Sequence, residues 1–83
     1  MTEINVKIEA YGAVEKHLPH DLNLRCTENS SVAEALKQIS DQYPTSAEIL
    51  EKCACAIGEE IISRRDVLKN NCTLVLLSPV AGG

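Results

Sequence analysis

The chain has 83 residues, enough for one domain with a small core. Apolar residues make up 45% of it with no Phe, no Trp and two Tyr, which excludes a disordered chain and predicts an interior of Ile, Leu, Val, Ala and Cys. A net charge of −4 with scattered basic residues excludes general nucleic-acid binding, and no apolar run approaches the ~20 residues that cross a bilayer.

The first segment, MTEINVKIEA, alternates polar and apolar residues. It lacks the basic start and continuous apolar stretch of a secretory leader, so a cytoplasmic protein is expected. Ile4, Val6, Ile8 and Ala10 fall on one face of a half-buried strand, opposite Glu3, Asn5, Lys7 and Glu9. Gly12 and Pro19 bracket AVEKHL, a turn or helical loop. A second strand follows, with Leu22, Leu24 and Cys26 alternating with Asn23, Arg25 and Thr27.

Ser31 and Glu34 then form the capping-box signature of a helix start. Val32, Ala35, Leu36, Ile39 and Tyr43 share one helical face, and Pro44 ends the helix. TSAEILEK predicts a short second helix. Cys53 to Ile57 reads as a strand of small residues, turning at Gly58-Glu59 into Glu60-Ile61-Ile62. Val67 and Leu68 form one apolar anchor within a polar stretch. Asn70-Asn71 reads as a turn, because Asn tolerates left-handed conformations. The last strand, Thr73 to Leu77, is apolar on both faces and so should be central in the sheet.

Two strands, a helix and three further strands predict an α+β domain with the helix across one sheet face. If Leu74 and Leu76 meet the helix, Val75 and Leu77 point away from it. Ile61 or Ile62 must also leave the core. An apolar outer patch of Ile61, Val75 and Leu77 is then a partner surface, or else a set of isolated surface residues. Arg64-Arg65 reads as a solvated loop or as the contact for an acidic partner rim. Cys26, Cys53, Cys55 and Cys72 lack the spacing of redox or zinc motifs and read as reduced apolar residues, with no metal site. Whether Cys53 or Cys55 ever oxidises stays open.

The chain closes on LLSPVAGG. Gly82-Gly83 is either an idle end or the working part, since glycine loses the most freedom when ordered. A single main helix on such a sheet, with a last strand running into Pro79-Val80-Ala81-Gly82-Gly83, resembles the ubiquitin-like sulfur carriers of β-grasp fold. Within them it is similar to the small subunits of molybdopterin synthase. The specific part of the resemblance is ACAIGEEIISRRDVLKNNCTLVLLSPVAGG. Thiamin-pathway carriers also end in Gly-Gly but less often carry the Pro-Val step, so Pro79-Val80 favours the molybdopterin branch. A thiamin-pathway carrier and a ubiquitin-like protein modifier remain the alternatives. The chain departs from the family's usual pattern at Gly58, at Asn70-Asn71-Cys72 and in lacking outward aromatics on the first strand.

The resemblance implies a β-grasp domain over residues 1–78 and a functional tail over residues 79–83. It also implies that Gly83 is adenylated and then thiocarboxylated, delivering sulfur to a cyclic pyranopterin monophosphate on the way to the molybdenum cofactor. Gly82, Ala81, Val80 and Pro79 would thread partner active sites, and Leu77, Val75 and Ile61 would meet those partners. The implied partners are the molybdopterin synthase large subunit, a ubiquitin-activating-like adenylyltransferase that uses MgATP, and a sulfur donor protein. No cofactor is expected on this chain, and it is not expected to be an enzyme on its own. Neither nucleic acid nor membrane is expected as a partner.

Overall fold

The computed structural model describes residues 2–79. Strands β1 (Glu3–Tyr11) and β2 (Asn23–Thr27) are joined through a 3-10 segment at Gly12–His17. A two-residue strand β3 (Ser30–Ser31) leads into helix α1 (Val32–Gln42). A 3-10 turn at Pro44–Ser46 then leads into α2 (Ala47–Lys52). Strands β4 (Ala54–Ile57), β5 (Glu60–Ile62), β6 (Val67–Leu68) and β7 (Cys72–Leu77) complete the described chain.

The main sheet has the order β2-β1-β7-β4-β5. β7 lies at its centre, as its two apolar faces predict. It runs parallel to β1 (Val6 opposite Cys72, Tyr11 opposite Leu77) and antiparallel to β4 (Ala54 opposite Leu77, Ile57 opposite Leu74). Hairpins β1–β2 and β4–β5 form the two edges. Gly58 opens the β4–β5 turn at φ +62 while Glu59 keeps a negative φ, the pattern of a type II′ hairpin with Gly at its first central position.

The core lies between this sheet and α1. Ile4, Val6, Ile8, Leu24, Leu74 and Leu76 face Val32, Ala35, Leu36 and Ile39, and all are buried. An eleven-residue helix is marginal alone, so the packing of this face holds it. Its start is doubly secured. Ser31 Oγ accepts from the Glu34 amide (3.1 Å), and Glu34 Oε1 accepts from the Ser31 amide (3.0 Å). The carbonyls of Asp66 and Arg64 accept from the Val32 and Ala33 amides (2.9 and 3.0 Å), which satisfies two more free donors of the first turn.

Several local expectations change. Val67 and Leu68 form β6, which pairs with β3 as a second, two-stranded sheet. The left-handed asparagine is Asn29 (φ 71), at the turn after β2. Asn70 and Asn71 keep negative φ, and the Asn71 side chain instead accepts from the Asn5 amide (2.8 Å). Arg64 is neither a solvated loop residue nor a free rim charge. Its Nη2 donates toward the carbonyls of Leu50 (2.6 Å), Glu51 (3.1 Å) and Cys53 (3.0 Å), closing the C-terminal end of α2 where the helix dipole is negative. Arg65 is exposed.

Candidate functional site

Because neighbours on a strand face opposite sides, burial of Leu74 and Leu76 turns Val75 and Leu77 to the outer face. Register then sets their neighbours. Val75 lies opposite Glu9 on β1 and Ala56 on β4, and Ala56 lies opposite Ile61 on β5. Leu77 lies opposite Tyr11 on β1 and Ala54 on β4. Two rungs, Val75-Ala56-Ile61 and Tyr11-Leu77-Ala54, thus cross three or more strands on one surface. Ile61 is 69% exposed, Tyr11 52% and Leu77 37%. Ala56 is buried yet lies outside the helix-side core cluster, so its cover is the outer rung itself.

The three patch residues read from sequence therefore share this face, and Ile61 rather than Ile62 is the one turned outward. Sequence reasoning missed Tyr11, Ala54 and Ala56. β1 runs one residue past Ala10, and Tyr11 continues its outward series Glu3, Asn5, Lys7, Glu9. The first strand therefore carries an outward aromatic at its end, contrary to the expectation from sequence. The Tyr11 hydroxyl donates to Glu9 Oε2 (3.2 Å). The Glu9 charge, and then that hydrogen bond, push the phenol's pKa up, so it remains a neutral donor.

Beyond Leu77 the chain is held once more before it leaves the sheet. The Ser78 amide donates to the Tyr11 carbonyl (3.1 Å), and Ser78 Oγ donates to the same oxygen (2.8 Å). Ser78 Oγ also accepts from the Val14 amide (3.3 Å), a free donor at the start of the 3-10 segment. Gly12, at φ +87, lies against this hydroxyl. Pro79 follows, exposed and without an amide to donate. The expected threading residues Val80, Ala81 and Gly82, and the expected reactive Gly83, lie outside the described residues.

A model of the ThiS family matches residues 11–83, from the end of β1 through Gly83. The chain belongs to the ThiS family. A search of the curated proteins finds no match for this family member. Among solved structures it is similar to SAMP1 from Haloferax volcanii, with a TM-score of 0.80 at 12% identity over 95% of this chain and 99% of that one. It is similar to a protein assigned as molybdopterin converting factor, subunit 1, from Pyrococcus furiosus, with a TM-score of 0.79 at 15% identity over 93% and 99% of the two chains. It is also similar to a chain of the complex between subunits 1 and 2 of the molybdopterin-converting factor from Helicobacter pylori, with a TM-score of 0.62 at 25% identity over 96% and 100%. The fold of this ThiS-family protein is therefore the ubiquitin-like β-grasp expected from its sequence.

Among the described residues no group of three or more His, Cys, Asp or Glu side chains comes together to hold a metal ion. All four cysteines are free thiols, with Cys26, Cys53 and Cys55 buried. Burial is the leading cause that raises each thiol's pKa, which leaves them protonated and poor nucleophiles. No helix of the described residues is long and apolar enough to cross a membrane. What the domain does present is an apolar face that runs directly into the root of its C-terminal segment.

Proposed function

We propose that this ThiS-family protein is a sulfur carrier of molybdenum cofactor biosynthesis, acting through the carboxyl group of Gly83. The observation that carries this reading is the family match, which runs through Pro79-Val80-Ala81-Gly82-Gly83. The 25% identity to a chain of the Helicobacter pylori molybdopterin-converting factor complex supports the molybdopterin branch, as does the Pro79-Val80 step.

A carboxylate is a poor electrophile. A ubiquitin-activating-like adenylyltransferase would use MgATP to convert the Gly83 carboxylate to an acyl-adenylate, releasing pyrophosphate. The persulfide of a sulfur donor protein would then attack the acyl carbon and displace AMP, and a thiol would reductively cleave the resulting acyl disulfide, releasing the donor and leaving a thiocarboxylate. Within molybdopterin synthase that sulfur would pass to the cyclic pyranopterin monophosphate held by the large subunit, in covalent group transfer with the carrier as co-substrate. Glycines at 82 and 83 suit this task because they have no side chain to obstruct a narrow channel. The outer face of Tyr11, Ala54, Ala56, Ile61, Val75 and Leu77 is the docking surface in this reading.

Mass spectrometry tests it. After incubation with the adenylyltransferase, MgATP and a sulfur donor, the intact protein is expected to gain the mass difference between one sulfur and one oxygen, located at Gly83. No change under conditions that thiocarboxylate a known carrier would refute the proposal. Co-purification from cell extract then assigns the branch. The synthase large subunit is expected as the partner, whereas recovery of a thiazole-forming enzyme, or conjugates to lysines of other proteins, would transfer the assignment to the thiamin or modifier alternatives.

A further inference from the structure

Three hydrogen bonds converge on Ser78, one residue past the end of the central strand. Its amide and its Oγ both donate to the Tyr11 carbonyl, and its Oγ accepts from the Val14 amide. The amide bond closes the last rung of the β1–β7 ladder, beside the Tyr11–Leu77 pair, and the hydroxyl extends that tie to Val14 in the 3-10 segment. Gly12 makes room for the hydroxyl. A Cβ built there would collide with Ser78 Oγ, and φ +87 is a conformation that side chains rarely adopt. Two unrelated requirements at position 12, space and left-handed backbone, are thus both met by the glycine facing Ser78.

We propose that Ser78, seated against Gly12, is the positioning residue that fixes the root and the working length of the reactive C-terminal segment. The proposal rests on the carrier reading above. With Ser78 held, the five residues 79–83 reach at most ~18 Å from the sheet. The direction of departure is set by Ser78 and by the rigid φ of Pro79. Without the hydroxyl's bonds to Tyr11 and Val14, only the backbone amide of position 78 still ties the root to β1, and the root loosens. Docking of the apolar face is unchanged by that loosening, but the orientation of the Gly83 carboxyl against bound ATP is degraded. Loss of orientation lowers turnover, and misplacement by about 1 Å can cost as much as ~100-fold.

The test is ATP–pyrophosphate exchange driven by the full-length protein with the adenylyltransferase of its source organism, comparing wild type with Ser78→Ala. Backbone 15N heteronuclear NOEs are recorded on the same two proteins. Ser78→Ala is expected to lower kcat roughly tenfold with KM within about twofold of wild type. The heteronuclear NOEs at positions 77 and 78 are expected to be lower in the variant than in wild type, with the core amides of both unchanged. If wild type turns over and Ser78→Ala matches its kcat, or loses efficiency through KM alone, the positioning role is wrong and the carrier reading stands. If the NOEs of the two proteins coincide at positions 77 and 78, the latch is likewise overturned. If wild type drives no exchange with an adenylyltransferase active on another carrier, the carrier reading fails and takes the positioning role with it.

Discussion

Arg64 closes the end of α2 by donating to the Leu50 carbonyl at 2.6 Å, across fourteen positions of sequence, while its neighbour Arg65 is exposed. The same atom reaches the Glu51 and Cys53 carbonyls, so one guanidinium meets three carbonyls at the helix end, of which that of Leu50 also accepts from the Cys53 amide (3.2 Å). Arg64 also carries the carbonyl that receives the Ala33 amide, which couples the end of α2 to the start of α1.

Arg64→Ala is therefore expected to destabilise the domain by about 2 kcal/mol, a sum of charge-assisted hydrogen bonds and helix-end electrostatics. In a domain this small the thermal midpoint should fall by on the order of 10 °C. Arg65→Ala should change stability by less than about 0.5 kcal/mol. Thermal unfolding of the two variants beside wild type checks the contrast. Equal midpoints would remove the structural role assigned to Arg64.

The elements that were legible in the sequence are those whose signal is local. The Ile4-Val6-Ile8 alternation, the Ser31–Glu34 capping box and the i, i+3, i+4, i+7 face of α1 each carry their structure within a dozen residues. The double apolarity of Leu74 to Leu77 was enough to place β7 at the centre of the sheet. What was not legible depends on distant parts of the chain. β3 and β6 are two residues each and exist because the chain brings Ser30 and Leu68 together. Arg64 finds its acceptors only once α2 has formed. Ser46 is fully buried because its hydroxyl donates to the Tyr43 carbonyl (2.6 Å), a local bond with no sequence signature of its own. The outer patch was half legible. Strand parity gave Ile61, Val75 and Leu77. Tyr11 lies one residue past the Ala10 end of the polar–apolar alternation, and Ala54 and Ala56 are too small to mark which side of the sheet they cover.

The outer face predicts a separation between binding and stability. Ile61 is 69% exposed, so Ile61→Asp removes little buried area and should leave the thermal midpoint within about 2 °C of wild type. On an apolar partner surface the same change buries an unpaired carboxylate. In the proposed reading, affinity for a molybdopterin synthase large subunit should fall by roughly 100-fold or more, or at least ~2.7 kcal/mol. Titration calorimetry against the purified large subunit measures it. Ala56→Asp is the contrasting variant. Ala56 is buried between Val75 and Ile61, so this substitution should lower both affinity and midpoint. Unchanged affinity in Ile61→Asp would show that partners bind elsewhere.

The thiols give a pH dependence with a definite sign. Burial raises the pKa of Cys26, Cys53, Cys55 and Cys72 above the ordinary 9.0, with Arg64 opposing the shift at Cys53 and Cys55. Above that ordinary value the unfolded chain has lost thiol protons that the folded chain still holds. Unfolding then releases protons, and stability falls as pH rises. The contribution is fully present below pH 9.0 and is lost as pH climbs through the folded-state values. Urea unfolding at pH 7, 9 and 10 should show a midpoint that declines only at the alkaline end. In native protein at pH 8, a disulfide reagent should label the half-buried Cys72 first and the three buried thiols only as the domain opens. Rapid labelling of Cys53 or Cys55 would contradict the burial assigned to them.

Gly12 and Ser78 should fail to add. Gly12→Ala places a methyl group where the Ser78 hydroxyl sits, so the serine must rotate away and give up its bonds to Tyr11 and Val14. To this is added the strain of a side chain at φ +87, about 1–2 kcal/mol. Ser78→Ala alone loses the same hydrogen bonds and leaves the Val14 amide unpaired, at a cost of about 1–2 kcal/mol. In the double variant the collision is gone, because the other Ser78 atoms lie at an ordinary 3.5 Å from the added Cβ. Only the backbone strain at position 12 then remains beyond the loss already incurred at Ser78. The double variant should be more stable than the sum of the two single losses implies, by about 1 kcal/mol or more. Chemical denaturation of the four proteins measures that coupling. A cycle that closes to within about 0.3 kcal/mol would mean that the hydroxyl does not occupy the space above Gly12, and the latch at the root of the tail would lose its structural basis.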